Sequence, residues 1–263
     1  MARQSLKNVC RLIDSMKQEL PKEQEFLNDL KRSIEMPEQK NKRAPSMTYK
    51  PSSMNCIRNM FYQRIGSEPD ASTTGYALIG IRNSGSDIHV RIQNAVMDMI
   101  NNNMDCEWVD VEEFIKSRNL DYLEIKSKTG TETKLFHKTL NMSFMCDGII
   151  KYKNHYYILE LKTESANKWW GRNGVAEGHY NQAVAYSTAF GIPEVMFVYI
   201  SRDTLDMKSF IYTVTDEMKH ELTARILECE DYVDKLTPPP KPENLDRKTC
   251  EYCGYKTQCR KDS

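Results

Sequence analysis

Phe144-Met145-Cys146-Asp147-Gly148-Ile149-Ile150-Lys151-Tyr152, then Lys153-Asn154, then His155-Tyr156-Tyr157-Ile158-Leu159-Glu160-Leu161-Lys162-Thr163, is the stretch on which the fold turns. Residues 140–152 and 155–163 are rich in β-branched, aromatic and aliphatic side chains, and Lys153-Asn154 between them has turn chemistry, so the pair predicts a hairpin. A hairpin closing there sets Tyr152 opposite His155. Asp147 and Glu160, each five residues from that pair, then face one another. Directly opposed side chains share a face with Cβ atoms about 5 Å apart, which places two carboxylates where one divalent cation can bridge them. Strand periodicity sends Glu160 and Lys162 to that face and Leu161 to the other, towards the core. A slip of one residue in register abolishes the coincidence.

The chemistry that suits Asp147, Glu160 and Lys162 is phosphodiester hydrolysis. Two carboxylates hold Mg²⁺ or Mn²⁺, the metal lowers the pKa of bound water and neutralises non-bridging oxygens, and a lysine orients the nucleophile or stabilises developing charge. The plain alternative is a surface Glu–Lys pattern, which is common and weak. YYILELKT is otherwise aromatic and aliphatic, however, and charges in such a strand are costly unless a metal or a partner accounts for them.

Outward from the hairpin, residues 84–103 carry Ile88, Ile92, Ala95, Val96 and Met99 at helical spacing, with Ser86 as N-cap and with His89 and Gln93 on the helix. Downstream, the polar segment 165–178 leads into a helix over 178–190. Residues 194–201 and 208–215 read as strands, and 216–236 as a long helix stopped by Pro238, Pro239, Pro240 and Pro242. Residues 3–36 predict two amphipathic helices, broken at Pro21 and ended by Pro37. From Lys40 to Arg64 there are six basic residues, Lys50 and Arg58 among them, and no acid, with Tyr49, Phe61 and Tyr62 interleaved. Such a strip suits nucleic-acid contact or a solvated linker.

The whole chain has 263 residues, with 37 Lys and Arg balanced by 37 Asp and Glu, 40% hydrophobic and 28% charged content. That composition describes a soluble globular protein and excludes collagen, mucin, bulk disorder and a histone-like polycation. A nucleic-acid enzyme stays open, because binding needs only a local basic strip. Wholly apolar runs such as residues 195–200 fall far short of the roughly 18 needed to span a bilayer, and MARQSLKNVC lacks an apolar export region, so a cytosolic protein is expected. Eight cysteines in such a chain are metal ligands or reduced thiols rather than disulfides. Cys10, Cys106, Cys146 and Cys229 read as reduced cysteines. Cys250, Cys253 and Cys259 form C-x2-C-x5-C, which gathers three thiolates at one centre.

His89 in SDIHVRIQ, Asp147 in FMCDGII, Glu160 to Lys162 in LELKT, and Gln182 with Tyr186 in YNQAVAY together resemble the RecB-like branch of the PD-(D/E)XK nucleases. The resemblance covers residues 49–259 and matches in order and spacing. It departs from the family's name in one place, where Cys146 precedes the aspartate instead of proline. It implies that His89, Asp147, Glu160 and the backbone carbonyl of Leu161 ligate the metal and that Lys162 assists the attacking water. Gln182 and Tyr186, one helical turn apart, support the site or touch the DNA backbone. Cys56 resembles the first cysteine of the iron-sulfur group of these nucleases, which includes the CRISPR-associated RecB-like exonucleases and the AddB nuclease. In that group one cysteine upstream and three downstream hold a 4Fe-4S cluster. Four thiolates serve a structural Zn²⁺ equally well.

Trp169 and Trp170, flanked by Lys168 and Arg172, lie between the ExK strand and the Gln182 helix. Aromatic rings beside cations stack unpaired bases, while the alternative is packing in the core. The expected architecture is therefore an α/β nuclease core over residues 46–237, a central mixed sheet flanked by helices, with a helical extension over 1–45. Residues 238–263 form a cysteine-rich tail folded back to Cys56. The expected function is Mg²⁺- or Mn²⁺-dependent hydrolysis of DNA, exonucleolytic on single strands or ends, in repair, recombination or end processing. Its alternatives are a structure-specific endonuclease with the same site and a non-catalytic DNA-binding subunit of a helicase or integration complex.

Overall fold

The computed structural model describes residues 21–40, 45–70, 75–243, 245 and 247–262. Cys10, Lys42, Arg43 and the first of the two N-terminal helices lie outside the described residues. The chain divides into two compact units, Met1–Arg43 with Thr73–Ile81 and Ala44–Ser72 with Arg82–Ser263.

In the first unit α1 spans Lys22–Lys40 with Glu23 and Glu25 in its first turn, where they complement the positive end of the helix. It runs through Pro37 instead of ending there. A proline so near the C-terminus removes one N–H, which would have bonded the Ser33 carbonyl, and the last turn closes around that loss. The Tyr76 amide donates to Glu35 Oε1 at 2.9 Å, and Lys31 Nζ lies over the Tyr76 ring.

The second unit begins with a 3-10 turn, Pro51–Ser53, and α2, Ile57–Arg64. Helix α3 spans Tyr76–Asp98, starting eight residues before the predicted helix, so Ser86 is interior and donates its hydroxyl to the Arg82 carbonyl instead of capping. Strand β1 (Cys106–Val109) leads to α4 (Val111–Ser117), whose N-cap Asp110 accepts from the Glu113 amide. Strands β2 (Leu123–Thr129), β3 (Glu132–His137) and β4 (Met142–Cys146) form a three-stranded antiparallel sheet. After β5 (Gly148–Tyr152) and β6 (His155–Glu164) come α5 (Ala166–Trp170), a 3-10 turn Glu177–His179 and α6 (Tyr180–Phe190). Strands β7 (Glu194–Ser201) and β8 (Met207–Thr213) precede α7 (Asp216–Asp234), which Thr215 caps. The tail carries α8 (Arg247–Glu251) and α9 (Lys256–Lys261).

The central sheet has five strands in the order β1-β5-β6-β7-β8, with β6 and β7 parallel and every other pair antiparallel, a mixed sheet flanked by helices. Tyr152 pairs with His155 and Gly148 with Leu159, the predicted register. The predicted first strand, 140–152, is two strands in two different sheets. Asp147 is the single residue between them.

Both faces of β6 are buried. Ile158 joins the larger cluster with Ile149, Phe197, Ala183, Ala189, Leu222 and Ile226, whereas Leu159 and Leu161 join Ile88, Ile150 and Ile200 on the other face. A Cβ at Gly85 would come within 3.1 Å of Thr163 Oγ1, so α3 lies close against β6 one turn before His89. A Cβ at Gly148 would overlap the Trp108 ring. Glycine there lets the chain leave Asp147 directly beneath an indole.

Candidate active site

Three elements meet at Asp147. The strand junction presents its carboxylate, β6 presents Glu160 and Lys162, and α3 presents His89. Asp147 Oδ2 accepts the Leu161 amide at 2.7 Å, and Oδ1 lies 3.1 Å from His89 Nδ1. On β6, Lys162 Nζ donates to Glu160 Oε1 at 2.6 Å and to Gln182 Oε1 at 2.9 Å. Gln182 Nε2 donates to Glu160 Oε1 and lies 2.7 Å from the Tyr186 hydroxyl, which itself donates to the Met145 carbonyl. The structure thus forms two hydrogen-bonded sets, His89 with Asp147 and Glu160 with Lys162, Gln182 and Tyr186, brought together along β6 by the Leu161 amide bonded to Asp147.

The electrostatics of that group are set by burial. Glu160 is 4% exposed, and its Oε2 atom is buried without a hydrogen-bond partner. Burial pushes the Glu160 carboxyl above the ordinary carboxylate range; the Lys162 ammonium opposes this and the Asp147 charge adds to it. For His89, burial works to lower the pKa, but the hydrogen bond to Asp147 and the nearby carboxylates outweigh it and the net shift is upward. Burial also holds the Tyr186 phenol well above its usual range, so it stays protonated as a donor. Among the described residues no three His, Cys, Asp or Glu side chains are set in a ready-made coordination cage. Here His89 is bonded to Asp147, and Glu160 to Lys162 and Gln182.

Residues not assigned to the site by sequence also enter it. Gln93, one turn beyond His89 and fully buried, donates to the Asp147 carbonyl at 2.8 Å and accepts from Thr131 Oγ1 at 2.6 Å. Its i,i+4 spacing from His89 was the available signal. His179 Nδ1 lies 2.8 Å from the Tyr199 hydroxyl, and burial, reinforced by Lys162 and Arg172, lowers its pKa to about 3, which keeps the ring neutral. Nothing in the local pattern marks that pair.

The proposed DNA contacts divide. Trp169 is 6% exposed, with its indole N–H bonded to the Tyr199 carbonyl, so it is a core residue; its large apolar ring fills the space beneath α5. Trp170 is 68% exposed and meets Trp169 edge-to-face. Lys208 holds the carbonyls of Trp169, Trp170 and Arg172. Arg172 is not an open cation, since it forms a bidentate pair with Glu164. Lys50 is exposed, but Arg58 is buried and donates to the Asp262 carbonyl, and Arg64 pairs with Glu230 at 2.9 Å. Two cations of the basic strip are therefore structural: a buried guanidinium must find acceptors, and the returning tail supplies one to Arg58.

Cys56, Cys250, Cys253 and Cys259 line one cavity of about 120 Å³, together with Arg58, Lys241, Lys256 and Arg260. Burial pushes the Cys56 and Cys253 thiols up, and each feels neighbouring cysteines as like charges. The tail is held there by Tyr62, which donates to Asp262 Oδ2, and by the Asp70 carboxylate, which accepts the Thr257 amide. Next to Cys56, Asn55 accepts from Asn181 at 2.6 Å. Asn181 precedes Gln182 on α6, so the segment beside the cysteine cavity and α6 are linked through this hydrogen bond. Cys106, Cys146 and Cys229 are buried away from this cavity, as reduced core residues.

No protein-family model matches the sequence, and no curated protein sequence matches it. Among solved structures, the chain is similar to SSO0001, with 14% identity over 90% of this chain and 97% of that one and a TM-score of 0.45. It is also similar to an alkaline exonuclease, LHK-Exo from Laribacter hongkongensis, with 13% identity over 73% of this chain and 92% of that one and a TM-score of 0.42. The same exonuclease in complex with dAMP gives a TM-score of 0.33. At such identities and scores the likeness carries no argument about chemistry, which rests on the site itself.

Proposed function

We propose that this chain is a Mg²⁺- or Mn²⁺-dependent nuclease of the RecB-like PD-(D/E)XK type that hydrolyses DNA phosphodiester bonds, acting exonucleolytically on single strands or ends. The observation that carries the reading is Glu160 Oε2, a buried carboxylate oxygen without a partner in a carboxyl close enough to Asp147 to feel its charge. An unsatisfied buried anion is costly, and a divalent cation is the group that would satisfy it. His89, Asp147, Glu160 and the Leu161 carbonyl would hold it, the His89–Asp147 hydrogen bond giving way to ligation. When bound, the cation supplies an acidified water and neutralises charge on the phosphate.

The chain's own residues do the rest. Lys162 spends two of its three N–H donors on Glu160 and Gln182, which leaves one for the attacking water. Gln182 fixes both Lys162 and Glu160 from behind, and Tyr186 fixes Gln182. Trp170 offers an exposed ring for an unpaired base. The four cysteines would hold a 4Fe-4S cluster, for which the shared cavity, the thiol chemistry and the surrounding cations fit; it would staple the tail to α2 and steady the start of α6 through Asn55 and Asn181.

Anaerobically purified protein, incubated with end-labelled linear and closed circular single-stranded DNA in Mn²⁺ and in EDTA, tests the reading. Iron and inorganic sulfide in the protein, with Mn²⁺-dependent loss of the linear DNA alone, are expected. Cutting of the circle means an endonuclease with the same site. Zinc in a colourless protein replaces the cluster with a structural metal. Binding of both DNAs with cleavage of neither overturns the enzyme and leaves a DNA-binding subunit.

A further inference from the structure

Asp147 occupies an awkward place in the backbone. It is the one residue between β4, in the three-stranded sheet, and β5, in the five-stranded sheet. The β3–β4 pairing ends at Cys146 and the β5–β6 pairing begins at Gly148, so neither register includes Asp147. Its carbonyl is nevertheless held, because Gln93 Nε2 donates to it at 2.8 Å from α3. On the other flank the Tyr186 hydroxyl donates to the Met145 carbonyl at 2.5 Å from α6. Two side chains on two helices thus do for this junction what a strand ladder does elsewhere.

A glutamine amide can turn over, and only one orientation works here. With its ends exchanged, Gln93 would set an oxygen against the Asp147 carbonyl, two acceptors in contact. The Asp147 carbonyl, which can only accept, decides between the two, and the Thr131 hydroxyl then holds the other end by donating to Gln93 Oε1 at 2.6 Å. Gln93 is fully buried, so the choice is made by protein groups. Thr131 lies in the turn between β2 and β3, beside Gly130, whose φ of +59° makes the turn possible.

We propose that Gln93 and Thr131 are positioning residues for Asp147, and that through them the tip of the β2–β3 hairpin sets how tightly the site holds its divalent cation. The inference rests on the metal-dependent nuclease reading and deepens it. With both carboxylate oxygens of Asp147 committed to His89 and Leu161, its carbonyl is the remaining point from which its aim can be fixed. Groups that orient a ligand in this way change metal affinity by about 10- to 100-fold when removed.

The test is calorimetric titration of the full-length chain with Mn²⁺, comparing wild type with Gln93→Met, Thr131→Val and Thr131→Ser, alongside kcat and KM on linear DNA. Gln93→Met and Thr131→Val are expected to weaken Mn²⁺ by about 10-fold or more and to lower kcat while leaving KM for DNA within a factor of about two. Thr131→Ser, which keeps the hydroxyl, is expected to recover the affinity. Should Gln93→Met fail to fold, Thr131→Val at the turn carries the comparison. A folded Thr131→Val that binds Mn²⁺ as wild type does overturns the inference. Wild type that binds Mn²⁺ but cuts no DNA overturns the nuclease reading alone, since the affinity comparison still stands. Wild type that binds no Mn²⁺ overturns both.

Discussion

Lys162 Nζ and Glu160 Oε1 are 2.6 Å apart, two residues along one strand and on one face of it, and Gln182 binds both. One oxygen of Glu160 is therefore doubly satisfied while the other, in the same buried carboxylate, has no partner. A fold selected only for stability would have little use for such asymmetry, and charged groups held short of partners are a feature of sites that await a ligand.

Glu160→Gln separates activity from stability. The amide removes a buried charge and keeps an oxygen for Lys162, so metal-free Glu160→Gln is expected to unfold at a temperature no lower than wild type, while DNA cleavage falls by about 100-fold or more. Mn²⁺ at about 100 times its dissociation constant adds about 2.7 kcal/mol to the stability of a protein that binds it only when folded, and the thermal shift it produces in wild type is expected to shrink sharply in the variant. Thermal melts with Mn²⁺ and with EDTA read both.

Lys162→Met has the opposite stability signature. It leaves Glu160 buried without its cation, for which we expect a loss of about 1–3 kcal/mol in urea unfolding together with loss of cleavage. Adding Glu160→Gln to it is expected to restore part of that stability. A double variant no more stable than Lys162→Met would mean that the two side chains do not interact as drawn.

The two adjacent tryptophans are expected to part company under alanine substitution. Trp170→Ala removes an exposed ring and is expected to raise KM for single-stranded DNA, by the equivalent of about 1–3 kcal/mol, with the melting temperature unchanged. Trp169→Ala opens the core beneath α5 and is expected to cost about 3–5 kcal/mol of stability. Equal effects of the two on KM would contradict the division.

Acid stability is expected to depend in part on buried His137 and half-buried His179. Burial lowers His137 to about 4, and its Nδ1 accepts the Leu140 amide at 3.2 Å, which requires the neutral ring; His179 is lowered to about 3. Because the folded-state values lie below the unfolded one, their contribution is fully present above a pH of about 6.5 and is lost as pH falls through the folded values. Urea midpoints from pH 7 down to pH 4.5 are expected to fall, and to fall less steeply in His137→Gln. Identical slopes would remove His137 from the account.

Much of the site was legible because it lies on a hairpin. The Lys153-Asn154 turn set the register of Gly148–Tyr152 against His155–Leu159, and extending it by one residue brought Asp147 next to Glu160 and Leu161, where its carboxylate accepts the Leu161 amide. Strand β7 was equally plain as a short, β-branched and aromatic apolar run. What sequence did not reveal depended on partners distant in the chain. The β2–β3 hairpin was missed although KTGTETK carries a glycine turn, since its alternation is of polar residues and only packing shows which face is inside. The break at Asp147 was invisible because continuous β character does not say when a strand changes sheets. The basic strip misled because Arg58 and Arg64 find their acceptors, Asp262 and Glu230, far along the chain. Helix α4 could have been found from Asp110 and Glu113, a cap and a third-position acid in the pattern of a capping box.

On the proposed mechanism, Asp147, Glu160 and Lys162 hydrolyse DNA with a divalent cation. Its most direct test is cleavage of end-labelled linear single-stranded DNA in Mn²⁺ by wild type and by Glu160→Gln purified in parallel. Wild-type degradation that EDTA stops and the variant lacks is the expected result. Equal degradation by both proteins, or by neither, would contradict it.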